Sequence, residues 1–347
     1  MKAVLKKDES KELLIIDTDI PKVKPDQVLV KVNTAGLCGT DVAIRNNTFM
    51  GRHGKVKYPL ILGHELCGEV VELGSKAQRF KVGDRVYGGW IEWCGECYGC
   101  RIGMYHFCKN WVHIGIDSPG CFAEYIAVRE DTLIRMPDFI PDEEGPVIEI
   151  ATLAVRAFRD TPPEPGSFIV ILGPGPFGLC LLQAALASGP NKVAITGLNS
   201  DEARLKIAKE LGADVTINVD EEDAVERVFE LSKGKGADIV VEATGNVKAV
   251  AQGLDMLAPG GTLLMGGSGF EGKHVSFAPW NVVRDQKTLK GLQGSCGRDE
   301  VLMEEWYKLG KLKIKSVIHP ELFSLWDINR VCDLMETEKP LKIVMKP

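Results

Sequence analysis

Nowhere in the 347 residues does an uncharged apolar stretch reach the length that crosses a bilayer. The longest candidate, Phe177 to Ala187, is too short for that and reads as a buried helix. The opening segment MKAVLKKDESKELLIID lacks the apolar run of a secretory signal. Blocks of basic residues are missing too. Lys and Arg number 42 against 48 Asp and Glu, a net charge of -6, which is not the electrostatic footprint of a nucleic-acid binder. Internal repeats and low-complexity tracts are also absent. These absences predict a soluble, cytoplasmic protein with neither membrane nor nucleic acid as a partner.

Cysteine is not scarce, since there are ten. Disulfide frameworks belong to small secreted domains, so this number in a long chain without a signal segment needs another account. Four of the ten, Cys94, Cys97, Cys100 and Cys108, are spaced C-x-x-C-x-x-C followed after seven residues by the fourth, with Gly95, Gly99 and Gly103 among them. Four thiolates close a tetrahedral shell around zinc and leave no place for substrate, so this would be a structural site. An iron–sulfur cluster fits the spacing as well, with little support from the rest of the chain.

The length exceeds what one core usually fills and suits two domains. The first half is β-rich. Short apolar runs at Gln27–Val32 and Glu69–Leu73 are broken by Gly, Pro and Asp, and Val82–Val86 reads as a turn feeding a strand. After about Glu149 the character changes. A proline-rich stop at Thr161–Gly166 precedes the buried-strand run Phe168–Leu172, and strands then alternate with helices. Strands are predicted at Val193–Thr196, Val215–Val219, Ile239–Ala243 and Thr262–Met265, the last following a turn at Pro259–Gly261. The fold class is therefore α/β in this half, a doubly wound parallel sheet.

Between the first such strand and its helix stands Gly173-Pro174-Gly175-Pro176-Phe177-Gly178. Alone, G-x-G-x-x-G is a weak signal. Placed after a buried strand and before an apolar helix, it predicts a pyrophosphate cradle at a helix N-terminus. An NAD site usually carries a carboxylate at the end of the second strand, to bind the ribose 2′-hydroxyl. Here that position is Gly197, followed by Leu198-Asn199-Ser200. The balance tips weakly to NADP, with Asn199, Ser200 or Arg204 to bind a 2′-phosphate. Asp201 and Glu202 are the acidic alternative for NAD, or simply helix N-terminal charges. Thr244, just past the fourth strand, joins the expected cofactor site.

A second metal constellation is dispersed. Cys38 sits in Gly36-Leu37-Cys38-Gly39-Thr40-Asp41, and His64-Glu65 in Gly63-His64-Glu65-Leu66-Cys67-Gly68. An open zinc site needs three protein ligands plus water or substrate, and a Cys, a His and a carboxylate suit it.

The order of Cys38-Gly-Thr-Asp, Gly63-His64-Glu65, the four-cysteine lobe and Gly173-x-Gly-x-x-Gly resembles the zinc-containing medium-chain alcohol and polyol dehydrogenases. The resemblance extends to the terminal Lys342-Ile343-Val344-Met345-Lys346-Pro347. It implies a GroES-like β domain from residues 1–150 and 288–347, with a zinc lobe at about 90–112, and a Rossmann domain over 151–287. It implies one catalytic zinc on Cys38, His64 and a carboxylate, Glu65 or Glu149, besides a structural zinc on the four cysteines. Glu149 stands where many alcohol dehydrogenases have a second cysteine, a feature of the sorbitol, threonine and sugar enzymes. Thr40 matches the hydroxyl that begins the proton relay, but the His that ends it in many members is here Ala43. The resemblance further implies NADP or NAD as cofactor and a homotetramer or homodimer. Two other readings use the same fold, a zinc-independent enone or quinone reductase and a non-catalytic cofactor-binding protein.

Overall fold

The computed structural model describes residues 1–270, 272–295 and 297–347. The chain divides into two compact units, one formed by Met1–Glu149 with Ile318–Pro347 and the other by Ile150–Val317. Among the described residues no helix is long and apolar enough to cross a membrane.

The first unit is built on a seven-stranded sheet that is antiparallel except at one edge. Its longest strand, Gln27–Leu37, alternates side chains over two faces, and Val28, Val30, Val32, Ala35 and Leu37 enter the core. This strand pairs with Glu65–Leu73 on one side and with Ile343–Lys346 on the other. A strand from the end of the chain thus lies inside the sheet. The cysteine lobe is a local appendage. A short ribbon pairing Ile91–Glu92 with Val112–His113 closes it, and Ile91, Cys100, Cys108 and Trp111 are its small core.

The second unit holds six parallel strands in the spatial order Val215–Asn218, Lys192–Gly197, Phe168–Leu172, Ala237–Glu242, Leu257–Met265 and Thr288–Gly291. Numbered by sequence this is 3-2-1-4-5-6, the order that binds dinucleotides where the winding reverses. Phe168–Leu172 is buried along its whole length, as a central strand covered on both faces must be.

Two expectations need correcting. The Rossmann unit does not stop at residue 287 but runs to Val317. Thr288–Gly291 is its sixth strand, paired in parallel with Thr262–Met265. Its half-exposed Thr-Leu-Lys-Gly has none of the apolar density of the other strands, so local pattern could not reveal it. The turn at Pro259–Gly261 does not precede a strand; it lies within Leu257–Met265 as an irregularity, where pairing jumps from Leu257 to Thr262.

At the glycine motif the packing is tight. A Cβ on Gly178 would lie 1.9 Å from the carbonyl oxygen of Gly173, a backbone atom that cannot rotate away. Gly178→Ala is expected to destabilise the protein by about 3 kcal/mol, the upper range for overpacking, seen as a lowered thermal midpoint of the purified variant.

Candidate functional site

Strand register assembles the first cluster. Gly36 pairs with Glu65, and Leu37 pairs with Ile343. Three strand ends therefore emerge at one level, carrying Cys38, His64-Glu65 and Lys342. Ligand atoms of Cys38, His64 and Glu65 all lie within 4.8 Å of one another. His64 and Glu65 are buried, 7% and 1% exposed, where an uncompensated polar group is costly.

Each member has its support. Asp41 accepts the Cys38 N–H at 3.0 Å through Oδ2, and its Oδ1 lies 3.5 Å from His64 Nδ1. A carboxylate beside Nδ1 would fix the ring and leave Nε2 for a metal. Burial pulls the His64 imidazole down, but Asp41 and Cys38 reverse this and hold it well above its usual range. His113 packs edge-on against His64 with ring centres 5.2 Å apart. Burial, reinforced by His64, pushes His113 down to about 3, so it stays neutral.

Glu65 is held from both sides. Lys342 Nζ donates to its Oε1, and both side chains are almost wholly buried. Burial depresses the Lys342 ammonium, yet Glu65 and Cys38 raise it above the normal lysine range. The other carboxylate oxygen lies over Gly36, 2.1 Å from where a Cβ would stand. That Oε2 is buried and has no hydrogen-bond donor among the described residues. Such an atom, beside a thiol and an imidazole, forms a donor set that fits zinc.

Glu149, in the first turn of the helix Ile148–Asp160, lies outside this three-residue set. Burial and the Glu65 charge raise its carboxyl above the usual range, with His64 and Lys342 opposing, so it is an electrostatic neighbour of the cluster. Thr40 and Ala43 sit one turn apart on the short helix Gly39–Arg45, both partly buried.

The four lobe cysteines have Sγ–Sγ separations of 3.6 Å for Cys94–Cys108, 3.6 Å for Cys97–Cys100 and 4.0 Å for Cys94–Cys100. A tetrahedron with Zn–S bonds of about 2.3 Å has edges of about 3.8 Å. The geometry fits a closed zinc site. Backbone N–H groups of Cys100 and Lys109 bring the Cys97 thiol down to about 6, whereas burial pushes Cys100 up to about 12.

In the second unit, Gly173 has φ +101 and its α-carbon faces Thr244, whose methyl would lie 2.5 Å from a Cβ there. A Cβ on Gly175 would meet nothing, so the outer face of the loop is bare backbone at the start of the helix Pro176–Ala187. Phe177 packs against Gly266. Thr244 donates from both its N–H and hydroxyl to the buried Glu242. Gly197 ends the second strand, and Arg204 reaches Asp201 at 3.2 Å. Asp201 also accepts the Leu198 N–H, across the short turn Asn199–Asp201.

Sequence reasoning gave no role to Asp41, Lys342 or Glu242. Asp41 was visible, three residues after Cys38 in a helix-start pattern. Nothing local marks Lys342, which is 277 positions from its partner.

Comparison with known proteins gives matches over both units. Residues 24–138 match the alcohol dehydrogenase GroES-like domain, and residues 176–312 match the zinc-binding dehydrogenase domain. The chain is 33% identical to L-threonine 3-dehydrogenase of Bacillus subtilis (strain 168), covering 100% of this chain and 99% of that one. It is also 33% identical to a sorbitol dehydrogenase of Halalkalibacterium halodurans, over 92% of each. Among solved structures, a Sinorhizobium meliloti 1021 protein assigned as a zinc-binding dehydrogenase and bound to NADP superposes with a TM-score of 0.91. It is 27% identical, with 100% of this chain and 99% of that chain covered.

Two outcomes follow from the geometry. Lys342→Met leaves Glu65 as a buried, unpaired charge and should cost about 3–5 kcal/mol in denaturant unfolding. Cys100→Ala should release one zinc per chain by elemental analysis and lower the thermal midpoint; a stable variant that keeps all its zinc would contradict the structural site.

Proposed function

From a chain that belongs to the zinc-containing medium-chain dehydrogenase/reductase family, and is thereby an NAD(P)-dependent oxidoreductase acting on alcohols, we propose a zinc-dependent polyol-type dehydrogenase. Its substrate is a polyol, sugar or hydroxy amino acid, oxidised at a secondary hydroxyl or formed by the reverse reaction. The observation that carries this reading is the convergence of Cys38, His64 and Glu65 from separate segments within 4.8 Å. A zinc-independent reductase has no use for that convergence.

In this reading Cys38, His64 and Glu65 hold the catalytic zinc, and Glu149 stands beside them as the second carboxylate. When bound, zinc supplies the Lewis acidity that makes an alcohol proton removable near neutral pH, and the nicotinamide supplies the hydride acceptor. Asp41 keeps the His64 ring oriented and its Nδ1 protonated. Lys342 fixes one Glu65 oxygen and leaves the other for the metal side. Thr40 Oγ1 accepts the hydroxyl proton and passes it on. Ala43 has no group to receive it, so another group or bulk water takes the proton.

The second unit binds the dinucleotide over Gly173–Gly178, with Phe177, Thr244 and the Gly197–Arg204 segment around it. The substrate class is supported by the threonine and sorbitol dehydrogenases among its relatives and by a carboxylate at position 149. Residues 288–317 are assigned to the dinucleotide unit. A homotetramer or homodimer in the cytoplasm belongs to the same reading, on the family resemblance.

The test is reduction of NAD+ and NADP+, followed by absorbance, across polyols, sugars, threonine and simple alcohols, with and without chelator. Cys38→Ser and His64→Ala should each lower kcat/KM by more than about 100-fold, beyond what loss of a supporting group alone costs. Full activity in either variant would sink the assignment.

A further inference from the structure

We propose that Asp220 makes this chain select NAD(H) over NADP(H), by closing the ribose 2′ position to a phosphate. The inference rests on the dinucleotide reading of the second unit.

A G-x-G-x-x-G cradle sets the residue that meets the ribose 2′ oxygen about 20 residues further on, at the end of the next strand. In this chain that is Gly197–Ser200, a stretch without a carboxylate. Read along the chain, a 2′-phosphate meets donors there and no repulsion. The fold changes this. Val215–Asn218 lies beside Lys192–Gly197, with Asn218 opposite Gly197. The turn after Asn218 brings Asp220 back to the neighbouring loop, where its Oδ2 accepts the Asn199 N–H at 2.8 Å. Asn218 Nδ2 donates to Asn199 Oδ1 at 2.6 Å, and Asp220 N–H donates to Asn218 Oδ1 at 3.2 Å. Three side chains thus lock the two strand ends together.

The lock occupies one donor that a phosphate would use. The Asn199 N–H is already bound to a carboxylate. Arg204 is paired with Asp201. Asp220 also begins the acidic run Asp220-Glu221-Glu222-Asp223. Within it Glu222 faces Arg227 at 3.5 Å, and Asp223 caps the following helix. Asp220 itself has no cation partner among the described residues. Its second oxygen can accept a hydrogen bond from a 2′-hydroxyl, whereas a 2′-phosphate there meets like charge. One group attracts the first dinucleotide and rejects the second. The carboxylate missing from the second strand is supplied by the third.

Titration of the zinc-loaded protein with NADH and with NADPH, followed by nicotinamide fluorescence without substrate, tests this directly. The wild-type chain should bind NADH more tightly by at least about tenfold, as expected for like charges a few ångströms apart near a protein surface. Asp220→Asn and Asp220→Ser should both narrow that ratio, with the gain in NADPH affinity largest at low salt. Wild-type affinity for NADPH equal to or above that for NADH would overturn the proposal, as would an unchanged ratio in both variants. Binding of neither dinucleotide would overturn this inference and the dinucleotide reading together. Selective NADH binding without oxidation of any alcohol would support Asp220 and remove only the catalytic reading.

Discussion

The ion pair between Lys342 and Glu65 joins residues 277 positions apart, and both side chains lie almost wholly out of water. Neither charge is tolerable in that place without the other. The arrangement requires Gly36, since any larger residue would occupy the space of the carboxylate. It requires the strand Ile343–Lys346 in register with Gln27–Leu37, because that register sets the height of Lys342. Cys38 and His64 then fall beside Glu65 as a consequence of the same pairing. The cluster is a product of sheet register more than of any single loop.

The two cysteine-bearing sites differ in what the fold demands of them. In the lobe, four thiols come from one stretch of fifteen residues, and backbone N–H groups favour the charged form of Cys97. The second site draws its atoms from two distant segments and sets a carboxylate behind its imidazole. The lobe set is complete with four sulfurs. The other has three donors and a Thr hydroxyl nearby in sequence, which suits a place where something exchanges.

Much of this was legible in the amino-acid sequence. Phe168–Leu172, the glycine motif and the helix after it are contiguous, so local pattern and local structure coincide. The lobe cysteines were legible for the same reason. Cys38 and His64-Glu65 stood out as polar residues in glycine-bracketed apolar stretches. What escaped was long-range. Lys342 looked like any lysine in a terminal strand, and Thr288–Gly291 joins its sheet without an apolar run. Asp220 looked like one acid among four, and only the pairing of Gly197 with Asn218 gives it a position. Alternation of residues reveals elements, and register across elements reveals which side chains meet.

The central position of Ile343–Lys346 in the first unit's sheet has a consequence for how the protein is made. A ribosome delivers Met1–Glu149 first, then all of Ile150–Val317, and only afterwards the residues that complete the first unit. The second unit is contiguous and can fold as it emerges. The first must wait, with Glu65 unpaired and one side of Gln27–Leu37 open. An open strand edge of this kind invites pairing with other chains. The first unit thus stays open at that strand edge until Ile343–Lys346 has been made.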